Sequence, residues 1–276
     1  MTSRHPHYLT WLLSEDEIKT ILGDKALGDK TQIPQPRQEV FQFAKRNDDS
    51  LRLTSINGAR FKGFLLEVPD PRRIKVAVAH DIQEKGDTVS TMALNNNAIA
   101  AINAGGFQDP LGTGTGRLPY GVIIHEGKFI VGEDIPDRIP LIGLTKAGVL
   151  IAGNYTVSEI KKMEIAEGVT FGPPLIINGK KLITEGDGGW GIAPRTAIGQ
   201  RRDGTILLLV IDGRQPAYSI GATLLDVQNI LYEQGAYVAA NLDGGSSTTM
   251  FYNGRVVNRP CDMLGERMIP TALVVK

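Results

Sequence analysis

Cysteine is nearly missing from this chain, and so are the segments that would place it in a membrane. The 276 residues include one cysteine, Cys261, which excludes an intrachain disulfide. No apolar run reaches the roughly 18 residues from which a membrane-spanning helix is inferred. No signal peptide or anchor is visible near the start. The sequence as written therefore indicates a cytoplasmic protein without a transmembrane segment, although it leaves the location unknown, with export by another route still open, and the oligomeric state undetermined.

Charge and histidine are also arranged in ways that exclude several classes of protein. Lys and Arg total 30 and Asp and Glu total 30, so the net charge is zero and a nucleic-acid duplex is not an expected partner. The four histidines show no metal-ligand spacing. The chain has no Gly-x-Ser-x-Gly motif, no phosphate-binding P-loop and no dinucleotide fingerprint after a strand, which argues against the enzymes that carry those motifs.

Glycine, in contrast, is abundant and organises the predicted fold. There are 32 glycines in 276 residues, whereas a usual fraction is about 7%. They separate short alternating apolar runs, two of which are predicted to turn as hairpins at Glu126-Gly127 and Asn178-Gly179. No regular strand–helix–strand repeat appears. Residues 49–276 are therefore predicted to form one α+β domain with a large, mostly antiparallel or mixed sheet and a few packed helices. Residues 1–48 are predicted to be a peripheral N-terminal extension with a short helix over residues 15–22.

The most informative stretch contains two apolar strands that each end in Asp-Gly. A predicted strand over Thr205–Ile211 ends at Asp212, and a helix over 224–234 follows. A second strand over Tyr237–Leu242 then ends at Asp243. One Asp-Gly after a strand is ordinarily a turn. Here the second is extended by glycine and serine, and successive backbone N–H groups in such a loop form an anion-binding nest.

Other polar residues also lie at strand ends, where binding sites are commonly built. Asn103 precedes two glycines, Arg195 lies between a glycine-rich loop and a strand, and Arg267 begins the last strand. The guanidinium fork suits phosphate because it donates two parallel hydrogen bonds. Acidic groups combined with arginines and a nest indicate a phosphorylated substrate that is attacked with help from a carboxylate.

Six short segments follow one another along the chain: Asn103-Ala-Gly-Gly-Phe, Pro194-Arg-Thr-Ala-Ile-Gly, Val210-Ile-Asp-Gly-Arg, Ser219-Ile-Gly-Ala-Thr-Leu, Asn241-Leu-Asp-Gly-Gly-Ser-Ser-Thr-Thr-Met and Glu266-Arg. In this order they resemble the phosphodiester glycosidases, the relatives of the lysosomal uncovering enzyme. The likeness covers roughly residues 55–276, and it implies a bacterial or phage source, where related proteins are often exported or membrane-anchored. The lysosomal enzyme has a third glycine where this chain has Ser246.

The resemblance implies hydrolysis of a sugar-1-phosphodiester, such as an N-acetylglucosamine-1-phosphodiester, to free sugar and a phosphomonoester. The partner is then a small-molecule or glycan phosphodiester. The catalytic residues that it implies are Asp243, Asp212, Arg195 and Arg267. The substrate-binding residues that it implies are Asn103, Gly105, Gly106, Thr196, Gly244, Gly245, Ser246, Ser247, Thr249 and Glu266.

Several alternatives stay open at this level. The chain is also compatible with a phosphodiesterase that cleaves the phosphorus–oxygen bond of a nucleotide or a teichoic-acid-like polymer, and with a non-catalytic glycan- or nucleotide-binding module. The residues do not say which aspartate is the base, nor whether the reaction retains or inverts configuration. A divalent cation near the aspartates is compatible with the pattern, although no ligand cluster requires a cofactor.

Overall fold

The computed structural model of the chain describes residues 36–44, 47–109 and 114–276. The predicted helix over residues 15–22 lies outside the described residues. Residues 36–276 form one compact unit. Within it Phe41 packs edge-on against Tyr237 at 5.2 Å between ring centroids, and the Gln38 amide donates to the Leu150 carbonyl at 2.6 Å. Part of the predicted extension therefore attaches to the domain, and the division at residue 48 stays a prediction.

The described residues contain seventeen strands in three sheets, and every strand pairing within the sheets is antiparallel. The α+β prediction with mostly antiparallel pairing is confirmed, although the strands divide among three sheets instead of forming one large one. The strands are β1 (Arg52–Asn57), β2 (Lys62–Val68), β3 (Ile74–Val78), β4 (Ala100–Asn103), β5 (Ile123–His125), β6 (Lys128–Val131), β7 (Ile139–Thr145), β8 (Leu150–Tyr155), β9 (Ile165–Val169), β10 (Pro174–Ile177), β11 (Lys180–Lys181), β12 (Arg195–Arg201), β13 (Ile206–Ile211), β14 (Ala236–Leu242), β15 (Met250–Tyr252), β16 (Arg255–Val256) and β17 (Thr271–Val275).

The sheets differ in size and share one apolar core. The seven-stranded sheet has the order β1-β2-β13-β12-β14-β10-β11. The two five-stranded sheets have the orders β16-β15-β4-β17-β3 and β6-β5-β9-β7-β8. Buried side chains from all three sheets, including Leu208, Ile102 and Leu141, form a single cluster. Burial of this apolar surface is the main force that holds the sheets together.

Three α-helices occur in the described part of the chain: α1 (Val89–Asn95), α2 (Val157–Lys162) and α3 (Leu224–Glu233). Each begins after a threonine, and the threonine hydroxyl accepts a backbone N–H of the first turn. This capping supplies a partner for an N–H group that has none inside the helix. None of the helices that the structure describes is long and apolar enough to cross a membrane.

Two predicted hairpin turns adopt the backbone conformation that joins antiparallel strands most tightly. Glu126 and Gly127 have φ of 50° and 78°, and Asn178 and Gly179 have φ of 54° and 71°. Two successive residues with positive φ give the type I′ twist that matches the twist of the flanking strands. The hairpins β5–β6 and β10–β11 confirm the predicted turns at these positions.

The centre of the seven-stranded sheet determines where the candidate site lies. All six residues of β13 are buried, so both faces of the sheet are covered there. Strands β13 and β14 both pair with β12 in antiparallel fashion. They therefore run parallel to each other, with β12 between them, and end at the same edge of the sheet. That edge is the place where β12 begins.

Candidate active site

The edge of the central sheet brings together three of the four predicted catalytic residues. Arg195, the first residue of β12, pairs with Ile211, and Thr196 pairs with Leu242. Asp212 follows Ile211 directly, and Asp243 follows Leu242 directly. The register therefore places Arg195 between the two aspartates, although they are far apart in the sequence.

Asp212 is a buried carboxylate that is almost fully engaged by the protein. Its exposed fraction is 1%. One oxygen accepts from the Asn258 amide at 2.9 Å and from the Arg259 backbone N–H at 3.0 Å, and the other accepts from the Tyr218 hydroxyl at 3.3 Å. Burial raises the pKa of the Asp212 carboxyl, while these hydrogen bonds oppose the rise. Asp212 therefore holds a proton more readily than an aspartate in water.

Because the pKa of Asp212 is raised, the free energies of unfolding of the wild type and of Asp212→Asn should differ by an amount that depends on pH. The folded state favours the protonated form of Asp212, and this preference stabilises the fold. The stabilisation is fully present below the pKa of Asp212 in the unfolded chain, near 3.8. It is lost as the pH rises through the pKa of Asp212 in the folded protein. Wild type should therefore lose stability relative to the Asn variant as the pH rises through that range. Urea unfolding of both proteins across this pH range measures it. A difference that does not change with pH would contradict the prediction.

Asp243 lies in a more open position than Asp212. It is partly exposed, and its backbone is fixed from both sides by β4. The Asp243 N–H donates to the Ala104 carbonyl at 3.0 Å, and the Asp243 carbonyl accepts from the Asn103 amide. The two strand-end aspartates thus differ in access: one is enclosed by the protein, and the other borders solvent.

Asn103 connects two sheets directly behind Asp243. It is fully buried. Its amide oxygen accepts from the Thr196 hydroxyl at 2.7 Å and from the Thr249 N–H at 3.1 Å, while its amide nitrogen donates to the Asp243 carbonyl. Asn103, Thr196 and Thr249 were predicted to bind substrate. The contacts of the Asn103 amide are to the protein, and they position the loop that carries Asp243.

Truncating this amide is expected to destabilise the fold. In Asn103→Ala the Thr249 N–H and the Asp243 carbonyl lose their buried partner, and an unsatisfied buried polar group costs about 1–3 kcal/mol. The free energy of unfolding, measured by denaturant titration, should fall by at least that amount. Asn95→Ala, at an exposed position at the end of α1, is the matched control and should change stability little. Equal stability of the two variants would contradict this role.

Arg195 is a buried cation whose guanidinium holds the preceding glycine-rich loop. Its exposed fraction is 5%. The Nε donates to the Ala222 carbonyl at 3.1 Å, and one terminal nitrogen donates to the carbonyls of Trp190 and Gly191 at 3.0 and 2.6 Å. The guanidinium carbon lies 5.9 Å from the Trp190 ring centroid. Arg195 therefore brings positive charge to the edge between the aspartates and also orders residues 190–191.

The predicted nest is present in part. The N–H groups of Gly245, Ser247 and Thr248 donate to nearby backbone carbonyls. The N–H groups of Gly244 and Ser246 have no acceptor among the residues that the structure describes. Two N–H groups, one on each side of Gly245, are therefore the ones left for an anion.

Glycine is required in this loop because the backbone comes very close to β12. A Cβ atom on Gly244 would lie 2.8 Å from the Pro194 carbonyl oxygen, and Gly245 has a φ of +63°. The hydroxyls of Ser247 and Thr249 are buried without a hydrogen-bond partner in the described ranges. A buried polar group usually has a hydrogen-bond partner in the protein, in water or in a ligand. The two hydroxyls without a partner therefore indicate a position for water or a ligand at this loop.

Gly105 and Gly106 allow close packing at the end of β4. The Gly105 N–H donates to the Thr271 hydroxyl at 3.0 Å, and the Gly106 N–H donates to the Thr170 carbonyl at 3.1 Å. A Cβ atom on Gly106 would lie 2.8 Å from the ring of Phe171. Both glycines have a packing reason at these positions, and their predicted contact with substrate stays a prediction.

Arg267 and Glu266 are held by other parts of the chain. The Arg267 guanidinium forms an ion pair with Asp109 and lies 4.9 Å from the Phe107 ring centroid. Glu266 accepts from the backbone N–H of Ser90 at 2.9 Å and also from the Ser90 hydroxyl, at the start of α1. The roles implied for these two residues stay predictions.

Sequence reasoning missed several residues around Asp212 and the nest. Asn258 links Asp212 to the nest, since its amide donates to Asp212 and to the Thr248 carbonyl at 3.1 Å. Tyr218 and Arg214 also lie there, and Arg214 belongs to a segment already noted for its resemblance. No local pattern marks Asn258, because its role depends on a loop folding back onto β13. Within the described ranges, no three His, Cys, Asp or Glu residues form a group that could hold a metal ion.

Comparison with known proteins identifies the family of this chain and agrees with its fold. The model of the phosphodiester glycosidase family matches residues 96–276. The chain belongs to the phosphodiester glycosidase family, a family of hydrolases. The matched region contains β4 and everything that follows it, including both aspartates and Arg195.

Particular relatives show how far the likeness extends. The chain is 24% identical over 241 residues to mouse N-acetylglucosamine-1-phosphodiester alpha-N-acetylglucosaminidase, which covers 78% of this chain and 44% of that enzyme. It is 35% identical over 81 residues to an uncharacterised prophage-derived protein of Bacillus subtilis, which covers 29% of this chain and 12% of that protein. The chain thus spans less than half the length of these curated relatives.

Solved structures show the same fold. The zebrafish enzyme of the same name, a catalytic domain auto-inhibited by its pro-peptide, superposes with a TM-score of 0.70 at 24% identity, covering 85% of this chain and 86% of that one. A putative exported protein of Burkholderia pseudomallei superposes with a TM-score of 0.59 at 18% identity, covering 78% of this chain and 74% of that one.

Proposed function

We propose that this chain hydrolyses a sugar-1-phosphodiester of the N-acetylglucosamine-1-phosphodiester type and releases free sugar and a phosphomonoester. The observation that carries the proposal is the placement of Asp212 and Asp243 on either side of Arg195 at one edge of the central sheet. Membership of the phosphodiester glycosidase family supports the reaction class. The name of the mouse relative supports the choice of sugar.

The chemistry needs fewer groups than ordinary glycoside hydrolysis. Ordinary glycosidases use one carboxyl to protonate the leaving oxygen, whereas a departing phosphate is already a stable anion. What remains is a carboxylate that activates water or stabilises the oxocarbenium-like sugar, together with positive charge that offsets the charge developing on the phosphate. Asp243, which is partly exposed, is the carboxylate that we assign to the sugar. Asp212 lies in the buried position, where its raised pKa suits transient proton storage.

Hydrolysis in oxygen-18 water tests which bond breaks. UDP-N-acetylglucosamine and an alkyl diester of N-acetylglucosamine 1-phosphate are suitable substrates, and mass spectrometry of both products is the measurement. Label in the released sugar is expected, because water attacks the anomeric carbon. Label in the phosphate would instead identify a phosphodiesterase. Binding of both diesters without turnover would identify a binding module.

A further inference from the structure

Arg214 has an unusual backbone conformation beside the candidate site. Its φ is +59°, a left-handed conformation that residues with side chains rarely adopt. The Arg214 N–H donates to the Ile220 carbonyl at 3.0 Å, which holds the turn. Residues kept in such conformations cluster at binding and catalytic sites. The side chain is exposed, so core packing does not account for this conformation.

The Arg214 guanidinium lies against the nest. One terminal nitrogen is 3.3 Å from the Ser246 hydroxyl oxygen. A Cβ atom on Gly245 would lie 3.3 Å from the guanidinium, so the missing side chain at Gly245 leaves room for the cation. No carboxylate in the described residues forms an ion pair with Arg214. A cation, a hydroxyl and two N–H groups are therefore grouped at one loop.

The other two arginines considered for phosphate binding are already engaged by the protein. Arg195 uses its Nε and one terminal nitrogen to bind three backbone carbonyls. Arg267 is ion-paired with Asp109. Bidentate binding of a phosphate needs two parallel N–H groups of one guanidinium. Arg214 presents its guanidinium at the surface next to the nest, and it is the better placed of the three for this contact.

Two further cations lie around the Tyr218 ring, close to Asp212. The Lys62 ammonium lies 4.9 Å from the centroid of the Tyr218 ring, and the Arg259 guanidinium carbon lies 4.3 Å from it. The Tyr218 hydroxyl in turn donates to Asp212. Cations gathered in this way raise the local concentration of an anionic ligand. Lys62 and Arg259 therefore add positive charge around the tyrosine that contacts Asp212.

We propose that Arg214, the Ser246 hydroxyl and the N–H groups of Gly244 and Ser246 bind the phosphate of the substrate. This inference rests on the proposed function, because it names the group that holds the phosphate of the same reaction. A substrate bound in this way has its phosphate at the nest and its anomeric carbon toward Asp243. It also leaves Arg195 as a positioning residue that supplies charge between the aspartates and orders the Trp190 loop.

The test measures binding of inorganic phosphate to the whole chain by calorimetry at low salt. Asn tolerates left-handed φ, so Arg214→Asn removes the cation and keeps the turn. We expect phosphate to bind at least tenfold more weakly to Arg214→Asn, and Arg214→Lys to fall between that variant and wild type. Arg202→Asn is the matched control, because Arg202 is exposed like Arg214 but lies near the other end of β12, where it packs 4.4 Å from the Tyr237 ring centroid.

The outcomes separate this site from the proposed function. Wild-type phosphate affinity in Arg214→Asn, an equal loss in Arg202→Asn, or no phosphate binding to wild type would each overturn the site. If phosphate binding depends on Arg214 and no sugar-1-phosphodiester is turned over, the phosphate site stands and the proposed function fails. If the diester is hydrolysed and its KM does not change in Arg214→Asn, the function stands and this site is removed.

Discussion

Replacing Asp243 with Asn is expected to give a folded protein that binds substrate but turns it over roughly 10²–10⁴-fold more slowly. The amide keeps the shape of the side chain and one acceptor oxygen, but it removes the charge and the basic oxygen. The backbone contacts of Asp243 with Ala104 and Asn103 do not involve the carboxylate, so they persist in the variant. Steady-state kinetics with a sugar-1-phosphodiester, and the melting temperature, measure the two effects separately.

Asp212→Asn is the comparison variant for Asp243→Asn. Asp212 is enclosed by Asn258, Arg259 and Tyr218, so its variant should change the dependence of stability on pH. Asp243 borders solvent, so its variant should change turnover. A stable, fully active Asp243→Asn protein would contradict the catalytic role assigned to Asp243. Asp212 would then be the candidate catalytic carboxylate.

Replacing Arg195 with Lys should lower kcat/KM by the equivalent of about 2–4 kcal/mol, the scale seen when one preorganised polar group of an active site is removed, because lysine no longer fixes the Trp190 loop and the charge between the aspartates. Lysine keeps the charge but not the planar fork. It cannot reproduce the three contacts with the carbonyls of Ala222, Trp190 and Gly191. The melting temperature should fall as well, because the buried Ala222 carbonyl and the part-buried carbonyls of Trp190 and Gly191 lose their donor.

Arg202→Lys provides the control for Arg195→Lys. Arg202 lies near the opposite end of β12, is exposed, and packs on Tyr237, so exchange of its fork for an ammonium should leave turnover unchanged. Wild-type kcat/KM in Arg195→Lys would remove Arg195 from the site. A loss in both variants would show a general effect of lysine on the strand and not a role in the site.

The local elements of this protein could be predicted from its sequence. The apolar run of β13, the hairpin turns at Glu126-Gly127 and Asn178-Gly179, and the helix after Thr223 all follow from patterns within a few residues. Such patterns act over short distances, through φ preferences, capping hydrogen bonds and the alternation of apolar side chains. The ends of these elements shifted by only a residue or two, which is the usual uncertainty at frayed ends.

The candidate site was only partly predictable, because some of its residues are identified only by contacts between distant parts of the chain. Asp212, Asp243 and Arg195 each carry a local signal, since each stands where an apolar strand meets a glycine-rich loop. Asn258 carries no such signal, and Arg214 follows one of these strand ends without being marked by it as a binding residue. Their importance comes from what they contact, Ser246 in one case and Asp212 in the other. Those contacts join residues that are distant in the chain.

By itself the sequence determined which segments are strands, where they turn and which polar residues stand at their ends. The tertiary structure alone decided that β12 lies between β13 and β14, which sets Arg195 between Asp212 and Asp243. It also decided that one aspartate is enclosed while the other borders solvent. The physical reason is that strand order and burial depend on how all three sheets together cover one apolar core, whereas propensity and turn chemistry act only between neighbours in the chain.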